Sequence, residues 1–244
     1  MLELLVDTDD FVIINKPIDM PMHFEAGQNT PVIPAVKAAF GLSKLWLVHR
    51  LDTGTSGCIM LAKSKESASA LSQIFAARQI QKYYLALIDK KPKKKQGKIV
   101  GDMQKSRNGS WKLCQSKQNP ALTQFFTFSY PVNQMTSLRL CILKPHSGKT
   151  HQLRVALKSL GSPILGDLRY KGRACDRMYL HAYALAFNYK GKAHSYHCLP
   201  LQGEYFEANG LQKKLIEHGE PSEQKWPRIS TADNLRHLDE GREV

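Results

Sequence analysis

The sequence predicts an α+β protein with a sheet-rich core, on three observations. Runs of β-branched and aromatic residues recur between turn-forming residues, which is typical of strands. Two other segments repeat their apolar residues at helical spacing, and each should pack one face on a sheet. The chain has 244 residues, of which 42% are hydrophobic, so it is long enough to bury a substantial core without disulfides.

A β-hairpin is predicted at the start, where the apolar runs 2–6 and 11–15 flank a polar turn. A helix is predicted at 31–40. A second is predicted at 64–77, where Ser64 is suited to cap the helix and its apolar residues, Ala68, Leu71, Ile74 and Phe75, fall on one face. The composition of the intervening segments predicts strands at residues 58–62, 80–88, 122–130 and 137–143.

The second half of the chain continues this mixture. A helix is expected from His151 to Leu160, with Thr150 as its N-cap and Gly161 as its stop. Strands are expected at 179–187 and 193–198, and residues 90–95 form a basic turn. From Glu220 onward the chain is polar, so we expect a catalytic domain at 1–219 and a loosely ordered tail at 220–244.

Charge is the strongest compositional signal. There are 35 Lys and Arg against 21 Asp and Glu, a formal net charge of +14, with a pI near 9.6. Such an excess predicts a strongly positive surface field and a polyanionic partner. The alternative is a basic face that only aids solubility.

Other classes of protein are disfavoured. No apolar run approaches the roughly 18 residues that a membrane span needs, and the acidic start does not resemble a signal peptide, so a cytoplasmic location is expected. The five cysteines lack any CxxC pair and read as reduced thiols, and His194, His197 and Cys198 alone do not make a metal site.

Two motifs resemble known sites and fail on inspection. Gly148, Lys149 and Thr150 end like a phosphate-binding P-loop, but the pattern requires a glycine where Leu143 stands. Residues 54–57 read GTSG, yet a nucleophile elbow needs a further glycine at Cys58. Neither an NTPase nor a serine hydrolase is therefore indicated.

The most informative stretch is HRLDTGTSG at residues 49–57, which follows an apolar run and leads into a predicted strand. Such a turn presents the Asp52 carboxylate at a strand end. On pattern alone, the favoured interpretation is that Asp52 accepts hydrogen bonds within an ordinary turn.

This stretch resembles the catalytic motif of the RluA family of pseudouridine synthases, in which the aspartate is essential. Three further blocks agree in order and spacing: NKP at 15–17 with Met20, Pro21 and His23; KYYLAL at 82–87; and GKTHQLR at 148–154. Weaker similarity extends over LGD at 165–167 with Tyr170 and LHA at 180–182. Asp19 and Lys149 depart from the usual glycine and arginine, and Lys149 would weaken a bidentate contact.

The resemblance implies a mixed, mainly antiparallel sheet with flanking helices around a cleft, and isomerisation of uridine to pseudouridine in RNA without a cofactor. It implies that Asp52 is the catalytic carboxylate, that Tyr84 handles the C5 proton, and that Arg154 pairs with the carboxylate. Tyr83, next in sequence, leaves a register alternative open. The implied substrate-binding residues are Arg50, His49, Leu153 and Lys149.

The resemblance further implies ribosomal or transfer RNA as partner and target recognition without an N-terminal S4 domain. A monomer is the default expectation. The residues 90–95 are expected to contact phosphates. Two alternatives stay open: a noncatalytic RNA-binding protein with the same fold, and a nuclease or glycosidase. The second would want a second placed carboxylate or a metal cluster, and neither is evident in the sequence.

Overall fold

The computed structural model describes residues 2–24, 27, 29–132, 137–206 and 210–230. The chain forms two compact units, one of Met1–Leu85 with Cys175–Ala208 and one of Ala86–Ala174 with Asn209–Val244. The strands in chain order are β1 (Glu3–Asp7), β2 (Phe11–Lys16), β3 (Trp46–Leu47), β4 (Ser56–Ala62), β5 (Gln81–Ile88), β6 (Gln96–Gly101), β7 (Met103–Lys105), β8 (Trp111–Leu113), β9 (Ala121–Pro131), β10 (Ser137–Pro145), β11 (Leu180–Tyr189) and β12 (Lys192–His197). The helices are α1 (Val32–Phe40), α2 (Lys65–Ala76), α3 (Gln152–Ser159) and α4 (Leu211–His218).

The first unit is a mixed sheet with strand order β1-β2-β4-β11-β5; β3 also pairs with β4, and β12 with β11. The pairs β1–β2, β2–β4, β3–β4 and β11–β12 are antiparallel, and β4–β11 is parallel. Every residue of β2 and of β4 is buried. A strand buried on both faces needs a continuous apolar run, and the sequence of β4, SGCIMLA, supplies one.

Alternation along β2 and β4 divides the apolar core of this unit into two clusters. Phe11, Ile13 and Met60 join Leu71 of α2 in one cluster, because residues two apart share a face. Val12, Ile14, Ile59 and Leu61 join Val32 and Val36 of α1 in the other. Burying each of these apolar side chains contributes roughly 2 kcal/mol to folding. The sheet is therefore fixed on both faces at the strand that follows Asp52.

The second unit contains an antiparallel group with strand order β10-β9-β6 and a separate antiparallel hairpin of β7 and β8. A short 3-10 turn, Arg107–Gly109, joins the two hairpin strands, and another, Leu168–Tyr170, follows α3. The basic turn predicted at 90–95 lies between β5 and β6. The α+β fold class and the sheet-rich core are confirmed.

The predicted elements lie close to the observed ones, with one error at a helix start. Ser64 caps α2, since its side chain accepts a hydrogen bond from the Ser67 amide. The prediction that Thr150 caps α3 is wrong: the N-cap is His151, with φ 58° and no side-chain capping bond. Gly161 adopts the positive φ expected of a helix stop.

Two residues near the start of the predicted tail contact β9. The ring centroids of Trp226 and of Phe126 in β9 lie 4.7 Å apart. The Gln124 side chain donates a hydrogen bond to the Pro227 carbonyl. Residues 231–244 of that predicted tail lie outside the described residues. Across the described part of the chain, none of the helices combines the length and apolarity required to cross a bilayer.

Gly57 makes the parallel pairing of β4 with β11 possible. It pairs with Ala182 and has φ +113°, and a Cβ atom at this position would lie 2.2 Å from the Ala182 carbonyl oxygen. Any side chain would therefore separate the two strands directly after the Asp52 turn.

We predict that Gly57→Ala lowers the free energy of unfolding by about 3 kcal/mol or more, from left-handed strain plus steric overlap. The matched control is Gly54→Ala, whose Cβ would meet only the Met178 side chain, at 3.4 Å. Denaturant unfolding should show a loss below about 1 kcal/mol for the control. Equal losses of unfolding free energy in the two variants would show that the close approach of β4 to β11 at Gly57 does not determine stability.

Candidate active site

Asp52 lies on a tight turn that leads into β4. The Thr55 amide donates to the Asp52 carbonyl over 2.9 Å, which closes the turn, and the preceding Leu51 is buried as an anchor. The Asp52 side chain is half-buried. The turn therefore holds the carboxylate at a strand end with access to solvent.

Lys16, at the end of β2, supports this turn from inside the protein. Its side chain is fully buried, and Nζ donates to the carbonyls of Pro17 at 2.9 Å, Met20 at 3.0 Å and Thr53 at 3.1 Å. The Thr53 carbonyl also accepts the Asp19 amide at 3.0 Å. One lysine thus joins the 17–20 loop to the residue directly after Asp52.

The three acceptors favour the charged form of Lys16. Burial lowers the pKa of Lys16 to about 7, while the carboxylates of Asp19 and Asp52 act in the opposite direction. Only the ammonium carries three N–H donors, and a neutral amine would turn its lone pair toward a carbonyl oxygen. The geometry therefore indicates a buried cation close to Asp52.

Asp19 occupies the position at which the resemblance leads us to expect glycine. Its φ is 58°, in the left-handed region that glycine adopts without strain and that aspartate tolerates better than most residues. Its carbonyl accepts a hydrogen bond from the Asn29 side chain at 3.0 Å. The departure keeps the backbone conformation and adds a carboxylate near Lys16.

A buried hydrogen-bonded chain lies beside the turn. Arg177 donates to Ser56 Oγ at 2.7 Å, Ser56 Oγ lies 2.8 Å from Nδ1 of His181, and His181 Nε2 lies 2.9 Å from the Cys198 carbonyl. Because a carbonyl only accepts, Nε2 carries the proton and Nδ1 accepts from the serine hydroxyl. Burial lowers the pKa of His181 to about 3, which keeps the ring neutral.

Tyr84 is the tyrosine of β5 that belongs to the Asp52 environment. It packs against the cluster that contains Leu51 and Ile59, whereas Tyr83 is buried with its hydroxyl bonded to Gln81. Burial raises the pKa of Tyr84 well above its ordinary value, and the nearby Asp52 carboxylate raises it further. The Tyr84 phenol therefore stays protonated at neutral pH.

His49 and Arg50 have opposite environments. The Met60 amide donates to Nε2 of His49 at 2.9 Å, and the imidazole stacks on Phe75 with 4.4 Å between ring centroids. Burial, together with the charge of Lys82, lowers the pKa of His49 to about 3. His49 thus anchors the motif to β4 and α2, which fits positioning better than the predicted contact with substrate. Arg50 is exposed, as an RNA contact requires.

In the second unit, Arg154 of α3 is held by a buried carboxylate. Its Nε and Nη2 donate to the two Asp167 oxygens at 2.7 and 2.8 Å, and the guanidinium lies 5.0 Å from the Tyr170 ring centroid. The two side chains are 11% and 1% exposed, so the bidentate pair is largely removed from water. Asp167 and Tyr170 fix the orientation of Arg154.

The other residues of the GKTHQLR block serve mainly to place α3. Gln152 accepts from Ser147 Oγ and the Lys149 amide, and it donates to the Leu122 carbonyl and Thr123 Oγ1. Gln152 thus joins the start of α3 to the loop before it and to β9. Leu153 is buried in the core, 6% exposed, so the structure does not offer it as a substrate contact. The half-buried Lys149 donates to the Asn119 carbonyl.

The structure thus brings Asp52, Tyr84 and Lys16 together in the first unit, while Arg154, Leu153 and Lys149 belong to the second. Lys16 and Asp167 lie within two of the matched blocks, but the sequence predicts no role for either. Arg177 lies outside those blocks. Lys16 and Asp167 are both charged residues beside an apolar run. In this protein each of these positions holds a buried charge with hydrogen-bonding partners.

We predict that the free energy of unfolding falls as the pH drops below about 6.5, partly through His49 and His181. Both folded-state pKa values lie near 3, below the ordinary 6.5, so the unfolded chain binds more protons and stability rises with pH across that interval. Each histidine should contribute about 1 kcal/mol per pH unit. His49→Gln should reduce the slope, and the exposed-site control His197→Gln should keep it; an unchanged slope in His49→Gln would contradict the assignment.

Known proteins resemble the chain in both sequence and fold. The family model described as RNA pseudouridylate synthase matches residues 10–159, more than half of the chain. An uncharacterized RNA pseudouridine synthase of Haemophilus influenzae is 49% identical over 207 residues, which are 84% of this chain and 90% of that protein. The dual-specificity RNA pseudouridine synthase RluA of Pasteurella multocida is 32% identical over 203 residues, 77% of this chain and 87% of that protein.

A solved structure agrees in fold. Human RNA pseudouridylate synthase domain containing 1 has a TM-score of 0.69 at 24% identity and covers 81% of this chain and 83% of that one. The family match includes Asp52, Tyr84 and Arg154, since all three fall within residues 10–159. The chain belongs to the family of RNA pseudouridine synthases.

Proposed function

We propose that Asp52 is the carboxylate with which this RNA pseudouridine synthase isomerises uridine. The observation that carries the proposal is the placement of Asp52: half-buried on a closed turn, with the buried Lys16 ammonium on the protein side of that turn. A carboxylate held in this way keeps its position at the strand end. Family membership supports RNA as the substrate.

The reaction rearranges bonds within one nucleotide. The bond from N1 of uracil to C1′ of the ribose breaks, the base rotates, and a bond from C5 to C1′ forms. The C5 proton is lost to solvent, and N1 takes up a proton. Asp52 can act on C1′ as a nucleophile or stabilise an electron-poor sugar, and the placement of the carboxylate suits both routes. Nothing is oxidised or reduced, so the proposal requires no cofactor.

Tyr84 is proposed to relay the C5 proton. Because burial and Asp52 raise the pKa of Tyr84, a free phenolate is disfavoured at neutral pH. The hydroxyl must then give up its own proton as it receives the C5 proton, which is a relay rather than simple base catalysis. The neutral ring also offers an apolar face on which a flipped uracil can stack.

Arg154 is proposed to support the reacting carboxylate, with Asp167 holding its guanidinium in a fixed plane. Arg50, which is exposed, is proposed to stack in the RNA where the target base leaves it. Lys149 is proposed to contact phosphate. Affinity then comes mainly from Lys and Arg, and we expect it to fall steeply with salt.

The RNA class is proposed to include ribosomal RNA, transfer RNA or both. The name of the Pasteurella relative, a dual-specificity enzyme, supports a site that accepts more than one RNA. We further propose a monomer that acts in the cytoplasm. Size-exclusion chromatography with light scattering tests the oligomeric state directly.

We predict that Asp52→Asn abolishes tritium release to water from RNA carrying tritium at C5 of uridine. The substitution keeps the size of the side chain and removes the charge and the nucleophilic oxygen. The control, Asp9→Asn, makes the same chemical change at an exposed position and should release tritium like the wild type. Release by Asp52→Asn at the wild-type rate would refute the assignment. No release by any protein, with RNA binding intact, would favour a noncatalytic RNA-binding protein.

We predict that Tyr84→Phe slows single-turnover tritium release by about 100-fold or more, because it removes the relay hydroxyl and keeps the ring. RNA affinity should stay within about twofold of wild type. Tyr83→Phe is the matched control, since its hydroxyl bonds Gln81. If Tyr83→Phe is the slower variant, the two tyrosines must exchange roles.

A further inference from the structure

A basic cleft of about 610 Å³ lies in the second unit, outside the residues assigned to catalysis. It is lined by Arg107, Asn108, Ser110, Leu168 and Arg169. The volume is within the range of small-ligand sites. The lining residues thus include two cationic, two neutral polar and one apolar residue, and none is acidic.

The hairpin side of the cleft is well organised. The Ser106 amide donates to the Ser110 carbonyl at 2.8 Å, and the Ser110 amide and hydroxyl both donate to the Arg107 carbonyl, at 3.1 and 2.6 Å. Asn108 and Gly109 both have positive φ, which makes the tip compact. The loop thus presents the Arg107 side chain from a fixed backbone.

The opposite side of the cleft is the 3-10 turn Leu168–Tyr170. Arg169 donates through Nη1 to the Asn108 carbonyl, which ties the turn to the hairpin, and Gly109 leaves room for this approach. Leu168 is 68% exposed, unusual for a leucine in so polar a setting. Among the described residues, no carboxylate lies within ion-pair distance of Arg107 or Arg169. Both charges therefore remain available to an anion.

Tyr170 connects this cleft to Arg154. Its hydroxyl accepts the Trp111 amide of β8 at 2.9 Å and lies 2.8 Å from Nδ1 of His151, while its ring faces the Arg154 guanidinium. Leu168 and Arg169 of the same short turn line the cleft. A chain of contacts thus fixes the distance between the cleft and a residue proposed to act in catalysis.

We propose that this cleft binds an unpaired nucleotide of the RNA substrate next to the one being modified, with its phosphates on Arg107 and Arg169 and its base on Leu168. The inference rests on the proposed function and extends it to substrate selection. Guanidinium groups suit phosphate oxygens. The exposed leucine offers a surface to the face of a base, and that face is accessible only when the base is unstacked and unpaired.

The test is the affinity for a fluorescent 12-nucleotide oligouridylate, measured by anisotropy over a range of salt concentrations, with the RNA duplex of equal length as comparison. Arg107→Ala with Arg169→Ala should weaken single-strand binding by about 25-fold near 0.15 M salt and reduce the salt slope by about 1.5. Lys192→Ala with Lys213→Ala removes the same charge from exposed positions elsewhere and should change affinity by less than about threefold.

Two further variants separate the contributions. Arg107→Ala alone, which leaves the Arg169 contact with Asn108 in place, should weaken binding by about fivefold. Leu168→Ser should weaken single-strand binding and leave duplex binding unchanged. In steady-state tritium release, the RNA concentration for half-maximal rate should rise with the arginine substitutions.

The inference is overturned if the double arginine variant binds the single strand like the lysine control, or if duplex binding falls as much as single-strand binding. The proposed function can fail separately: wild-type protein that releases no tritium refutes the isomerase activity, while the affinity comparison still decides whether this cleft holds RNA. Thermal unfolding of each variant identifies any loss caused by misfolding of the hairpin.

Discussion

The buried ammonium of Lys16 is the interaction on which the rest of the site depends. Moving a charge of this size out of water costs several kcal/mol even after relaxation, and here three carbonyl oxygens and two nearby carboxylates offset that cost. The acceptors come from two separate stretches of chain. Their positions are therefore mutually determined, and the Asp52 turn cannot shift without leaving a buried charge unsatisfied.

The surrounding sheet extends this constraint. Gly57 lets β4 approach β11 closely enough to pair in parallel, and that pairing places Ser56 opposite His181. The hydrogen-bonded chain through Arg177, Ser56 and His181 then has one consistent direction of donation. Buried networks in which each named donor meets an acceptor rigidify their surroundings, and this network begins four residues after Asp52.

Much of the fold could be predicted because local patterns carry it. The alternating and continuous apolar runs locate β2, β4 and β9, and Ser64 indicates the N-cap of α2. The prediction for Thr150 was wrong because a sequence shows a capping residue but not the left-handed backbone of His151, which makes His151 the N-cap. Trp226 was read as part of a polar tail, since nothing nearby in sequence predicts its contact with Phe126.

The sequence could predict which residues form the candidate site better than how those residues are arranged. The resemblance selected Asp52 and Tyr84, and alternation placed Tyr83 on the other face. The roles of Lys16, His49 and Asp167 depend on partners 37, 11 and 13 residues away in sequence, and no local pattern specifies such pairings. From the sequence, a histidine in a catalytic motif is expected to contact substrate. In the structure, Nε2 of His49 instead accepts a hydrogen bond from the backbone of β4.

The pairing of Arg154 with Asp167 has an electrostatic consequence. Together the two side chains carry no net charge, so at a distance they act as a dipole rather than as a cation. The field of a dipole falls off faster than that of a single charge and depends on angle. An anionic group that approaches Arg154 is therefore stabilised only when it comes from the guanidinium side. Its stabilisation depends on alignment with the pair more than on long-range attraction.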